Sequence, residues 1–208
     1  MKIFKFFIPE IAEKIRFDYE LLGRAFSINS SWKPMRMVEI NDLIKKLSCA
    51  DKGTISLDLV VAKAVGKAPL DACINTGKSP KCEWGTECSE GSFPAYTRAR
   101  NCVTTLPVGW WWTLGARICD GSFANKGALF VYEAENRDGI CAKASGKDQT
   151  VTCAIVIVKA HEERKLVLLA NQYGTTTEVI AEAIMQAESA NCKTEGAVTL
   201  RGHHHQLS

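Results

Sequence analysis

The sequence contains no run of 18 apolar residues, so no helix long and greasy enough to cross a bilayer is expected from it. It contains no C-x-x-C pair, whereas structural zinc sites use short-spaced ligand pairs, so no metal site is expected. There is no G-x-S-x-G, no phosphate-binding P-loop and no G-x-G-x-x-G, which removes the common hydrolase, nucleotide and dinucleotide readings and leaves no cofactor to expect. Histidine is scarce. Three of the four stand together as His203, His204 and His205, in a tail expected to be solvated, and only His161 remains. A thiolate nucleophile needs a neighbouring base, and one histidine among predicted turn residues supplies no convincing pair. Charge of one sign is also missing from most of the chain. Residues 1–48 carry nine basic and six acidic groups, and residues 49–208 carry 17 of each. A nucleic-acid-binding surface normally shows a basic excess, so nucleic acid is not an expected partner.

What is present is cysteine. Nine occur, at 49, 73, 82, 88, 102, 119, 141, 153 and 192, and none precedes residue 49. Such usage favours an oxidising, extracellular setting, and an odd count leaves one thiol free or paired between chains. The start, Met1 to Ile8, is apolar like a signal peptide. Pro9 and Glu10 interrupt it too soon for a hydrophobic signal core. How the chain would reach that setting is left open by these residues.

Hydrophobic periodicity divides the chain into a helical N-terminal arm (1–48), a cysteine-rich α+β body (49–200) and a flexible tail (201–208). Helices are expected over 9–22, where Ile11, Ile15, Tyr19 and Leu22 share a face, and over 39–47, where Ile40, Leu43, Ile44 and Leu47 do. Residues 54–65 read as a strand, and 66–109 as a long irregular region holding Cys73, Cys82, Cys88 and Cys102. Strands are expected at 128–134, 140–144, 150–160 and 165–170, joined by short polar turns. Thr175 and Glu178 form a capping-box pattern before a helix at 176–190. The fold class is therefore α+β: an antiparallel β-meander covered by a C-terminal helix, with a disulfide-rich irregular region and an N-terminal helical arm.

Two features bear on function. A hairpin turn centred on Lys147 would set Cys141 opposite Cys153, with Cβ atoms about 4.5–5.5 Å apart, near the roughly 3.5–4.5 Å of a disulfide. A Cys141–Cys153 disulfide is expected, the alternative being two buried thiols. Trp110, Trp111 and Trp112 are consecutive, and strand side chains alternate, so in an extended segment at least one ring points away from its neighbours. An exposed ring favours contact with a protein or carbohydrate surface, another copy of the chain included. Against that stands full coverage by a loop or second layer. Asn29-Ser30-Ser31 matches a glycosylation acceptor pattern, which is common by chance.

These features rank three functions. First is a non-enzymatic, secreted or extracellular, disulfide-stabilised binding protein resembling a toxin, effector or adhesin in kind. Second is a structural subunit of a virion or extracellular filament, assembling through the basic arm. Third is a small hydrolase using the loop carboxylates Glu83, Glu87, Glu90 and Asp120.

Overall fold

The computed structural model describes residues 8–26, 33–66, 96–97, 106–118 and 129–202, excepting the side chains of 55 and 192–202. Its central element is a 25-residue helix, Gln149–Tyr173. This replaces the two strands expected at 150–160 and 165–170. Every residue from Val151 to Val158 is buried. Continuous burial erases the periodicity that separates a core strand from a core helix. The β-branched residues here favour a strand by at most about 1 kcal/mol each. Full burial of each apolar side chain is worth roughly 1.5–3 kcal/mol in either conformation, so the surroundings decide.

Both ends of this helix are chemically marked. Asp148 at the N-cap accepts from the backbone N–H of Thr150 and of Val151, each at 2.9 Å. At the other end Gly174 takes the left-handed conformation (φ 63°). There Thr175 N–H donates to Ala170 O at 3.0 Å and Gly174 N–H to Asn171 O at 3.4 Å, the paired closure of a Schellman turn.

Among the described residues, four other helices and three strands surround it. In chain order the elements are α1 (Pro9–Ala25), α2 (Met37–Ser48), α3 (Ile55–Ala64), β1 (Trp110–Ile118), β2 (Leu129–Asn136), β3 (Cys141–Gly146), α4 (Gln149–Tyr173) and α5 (Thr177–Gly202). The helices expected at 9–22, 39–47 and 176–190 are thus present, somewhat longer, as are the strands at 128–134 and 140–144. The segment expected as a strand at 54–65 is α3, whose Thr54 hydroxyl caps the Leu57 N–H at 3.2 Å. The sheet is antiparallel in the order β1-β2-β3, a meander whose first strand is the tryptophan segment. Asn136 Oδ1 accepts from the N–H groups of Asp138 and Ile140 and closes the β2–β3 turn.

α4 joins three apolar clusters. Val151, Ala154, Ile155 and Val158 pack with Leu43 and Leu47 of α2 and Val61 of α3. Val156 and Ala160 pack on the inward sheet face, against Trp110, Ala134 and Ala142. Leu166, Leu169 and Ala170 pack with Ile15 and Tyr19 of α1 and Ile180 and Ile184 of α5. So α4 covers the sheet. The helices expected to form a separate arm, α1 and α2, bury their apolar faces in the body.

The pair Tyr96-Thr97 is pinned between α3 and α4. Thr97 donates to buried Asp58 Oδ1 from both its N–H and its hydroxyl, at 2.6 Å each. Thr150 Oγ1 donates to Thr97 O, also at 2.6 Å. The approach is so close that a Cβ on Gly53 would stand 1.7 Å from Thr97 O, which leaves no space for any other residue there.

Candidate functional site

β1 alternates as its extended backbone requires. Trp110 (9% exposed) and half-buried Trp112 face inward, and Trp112 meets the Tyr132 ring edge-on with centroids 5.8 Å apart. Trp111 faces outward, 44% exposed. The register shifts between Trp112 and Leu114, so that Thr113 is bulged and Leu114 joins Trp111 on the outward face. Ile118 and its cross-strand partner Leu129 lie on that face too. Leu114 is 41%, Ile118 51% and Leu129 40% exposed. The three tryptophans are therefore divided between core and surface.

The same face is polar toward the middle of the sheet. Glu135 stands opposite Trp111, and Glu133 opposite Leu114. In a half-solvated antiparallel sheet the outward positions are ordinarily polar throughout. Here β2 and β3 follow that rule over Glu133, Glu135 and Lys143, and β1 does not.

The cysteine pair is not brought together. Cys141 lies opposite Glu135 on β3, and Cys153 lies in the first turns of α4, so the hairpin that would have aligned them does not exist. Both are free thiols, as is exposed Cys49. Cys141 Sγ donates to Glu133 Oε1 at 3.0 Å. Partial desolvation of the sulfur, then that hydrogen bond and the Glu133 charge, push its thiol up to about 11. Burial, with the Asp148 charge, pushes the Cys153 thiol up to about 11 as well. Neither is a nucleophilic thiolate at neutral pH. Cys73, Cys82, Cys88, Cys102, Cys119 and the side chain of Cys192 lie outside the described residues. So do the carboxylates Glu83, Glu87, Glu90 and Asp120, the sequon at 29–31 and His203 to His205. His161, expected in an exposed turn, is half-buried on α4. Among the described residues no group of three metal-ligating side chains converges.

Two polar arrangements have no signature in the sequence. Tyr19 of α1 donates its hydroxyl proton to Glu162 Oε1 at 2.6 Å and accepts from Lys165 Nζ at 2.9 Å. Lys165 Nζ stands 2.5 Å from Glu162 Oε2, and all three residues are buried. Burial and the Glu162 carboxylate hold the Tyr19 phenol well above its usual range. The set is self-neutralised, and it fastens α1 to α4. Separately, buried Glu188 of α5 accepts from the N–H groups of Met37 (2.8 Å) and Val38 (3.0 Å), capping the N-terminus of α2 from another helix. Residues 143 to 151 positions apart form these contacts, so no local pattern announces them.

A cleft of about 480 Å³ lies between α2, β3, α4 and α5, at the β3 edge of the sheet. Ile44, Leu166, Ala181 and Met185 give it an apolar lining, and Lys143, Lys159, Glu163 and Glu182 supply charge. Burial, with the nearby Glu162 and Glu178 charges, raises the Glu163 carboxyl above its ordinary value, and Lys159 opposes that shift. No family model matches the chain, and neither any curated protein nor any solved structure matches it.

Proposed function

We propose that the chain is a non-enzymatic binding protein that docks a partner protein on the outward face of β1. One observation carries this reading: Trp111, Leu114, Ile118 and Leu129, each at least 40% exposed, stand on the same outward sheet face. Contiguous exposed apolar side chains on a folded surface mark interaction sites, and tryptophan is the residue most enriched among energetic anchors. The outward face of a sheet suits a protein surface better than a small molecule, whose sites are concave. The carboxylates of Glu133 and Glu135 flank the apolar column, so the partner is one that presents an apolar anchor beside basic side chains.

An extracellular, disulfide-stabilised setting is part of the proposal, and its support is the six cysteines beyond the described thiols. The filament or virion subunit is the weaker reading, because α1 and α2 bury their apolar faces within the chain itself. The hydrolase reading has no described residue behind it.

The test places a photoreactive p-benzoylphenylalanine at Trp111 in the full chain and identifies the adduct formed in its native extract. One predominant protein adduct is expected. Once purified, that partner binds the unmodified chain at least about tenfold more tightly than the Leu114→Asp variant, a loss of about 1.4 kcal/mol. Adducts spread over many proteins, an adduct to a carbohydrate or to the chain itself, or equal affinity for Leu114→Asp would overturn the reading.

A further inference from the structure

The proposed β1 face leaves the cleft at the opposite sheet edge without a role. That cleft combines three properties. Its volume, about 480 Å³, falls within the roughly 300–1,000 Å³ of small-molecule sites. Its lining carries charges of both signs. Lys143 and Lys159 meet at the β3 side, where Lys159 Nζ donates to Lys143 O at 2.8 Å, and Glu163 and Glu182 stand on the α4 and α5 side. Among the described residues, Lys143, Glu163 and Glu182 form no ion pair with one another or with any other group. The lining also includes the apolar side chains of Ile44, Leu166 and Met185.

The geometry points to a binding site for a small zwitterion, its ammonium end at Glu163 and Glu182, its anionic end at Lys143 and Lys159, and its apolar middle along Ile44 and Leu166. A ligand of one sign would complement one side and be repelled by the other. A purely apolar ligand would desolvate four charges without pairing them, which costs more than the apolar contact returns. Glu163 lies at the centre of the negative groups here. It is half-buried, its own helix places Glu162 beside it, and α5 adds Glu178 and Glu182. The opposing cations are Lys159 on α4 and Lys143 on β3, Cys141 is the remaining titratable group lining the β3 side, and α2 contributes the uncharged Asn41. A carboxyl whose proton affinity is raised in this way gains from an incoming ammonium. Binding should therefore be present at neutral pH and fade as the pH falls through the raised Glu163 value.

The experiment is an amide NMR titration of the full chain with 6-aminohexanoate, beside hexylamine and hexanoate as single-charge probes. Saturable shifts are expected at residues of β3, α4 and α5 that line the cleft, with hexylamine and hexanoate each at least about tenfold weaker. Glu163→Gln and Lys159→Met should each weaken 6-aminohexanoate at least about tenfold, and Glu163→Gln should also flatten the acid limb of the pH dependence. Glu182→Gln, at an exposed position, supplies the same comparison should either variant fail to fold. No saturation up to about 10 mM, shifts scattered outside the cleft, equal binding of a single-charge probe, or indifference to the substitutions would overturn the assignment.

Discussion

Cys141 and Cys153 are chemically alike and sit in different surroundings, yet both are held protonated. Cys141 is exposed, but its sulfur donates to the Glu133 carboxylate, which would repel a thiolate. Cys153 is buried on α4 with Asp148 nearby. With both thiols near about 11, roughly one molecule in a thousand carries a given thiolate at pH 8. Alkylation of Cys141 by iodoacetamide should thus accelerate about tenfold per pH unit from pH 8 to 10, with no plateau near the ordinary thiol value. Glu133→Gln removes the negative charge that opposes ionisation and should raise the rate at pH 8. Peptide mapping under non-reducing conditions should find no fragment linking residues 141 and 153. A linked fragment, or a rate plateau below pH 9, would refute the surroundings described for these thiols.

At the scale of elements, the ends of helices were legible and the interior of the longest one was not. The T-x-x-E pattern at 175–178 announces α5 one residue early: the helix begins at Thr177, and a hydrogen bond from Thr176, not Thr175, holds the Glu178 carboxyl below its usual value. Alternation read correctly that the tryptophan triplet cannot face one way, and Trp111 is the ring left outside. Asp148 and Gly174 mark the ends of α4 equally well, but Ser145 to Asp148 reads as readily as a hairpin turn. Residues 151–158 offer no polar face to fix a period, because every one of them is buried between the sheet and the other helices. The cleft was illegible for a related reason: it is assembled from four elements whose docking no local pattern encodes. The cap provides a direct check. Asp148→Ala leaves the Thr150 and Val151 N–H groups without their side-chain acceptor and should lower unfolding free energy by about 1–2 kcal/mol in urea. The Cβ position is unchanged, so the sheet contacts of α4 should survive. If stability is unaffected, the helix does not depend on that cap.

For the molecule as a whole, the question is whether the first helices are an appendage or part of the body. Sequence composition suggests an appendage: basic and free of cysteine. The packing says otherwise. Ile15 and Tyr19 are fully buried against Leu169, Ile180 and Ile184, and α1 closes the hydrogen-bonded set around Glu162 and Lys165. Removing residues 1–26 would uncover that apolar cluster. It would also leave Glu162 and Lys165 without the Tyr19 hydroxyl that each of them contacts. Two fully buried large side chains alone represent roughly 3–6 kcal/mol of transfer free energy, before the exposed faces of α4 and α5 are counted. A domain's whole stability is only about 5–15 kcal/mol, so the shortened chain should be close to unfolding at 25 °C. Urea titration followed by circular dichroism should show a midpoint shifted far toward zero denaturant, with exposed apolar surface detectable by dye binding. A shortened chain that unfolds at the midpoint of the full chain would instead establish α1 as a detachable arm and favour self-assembly through it over the reading proposed above.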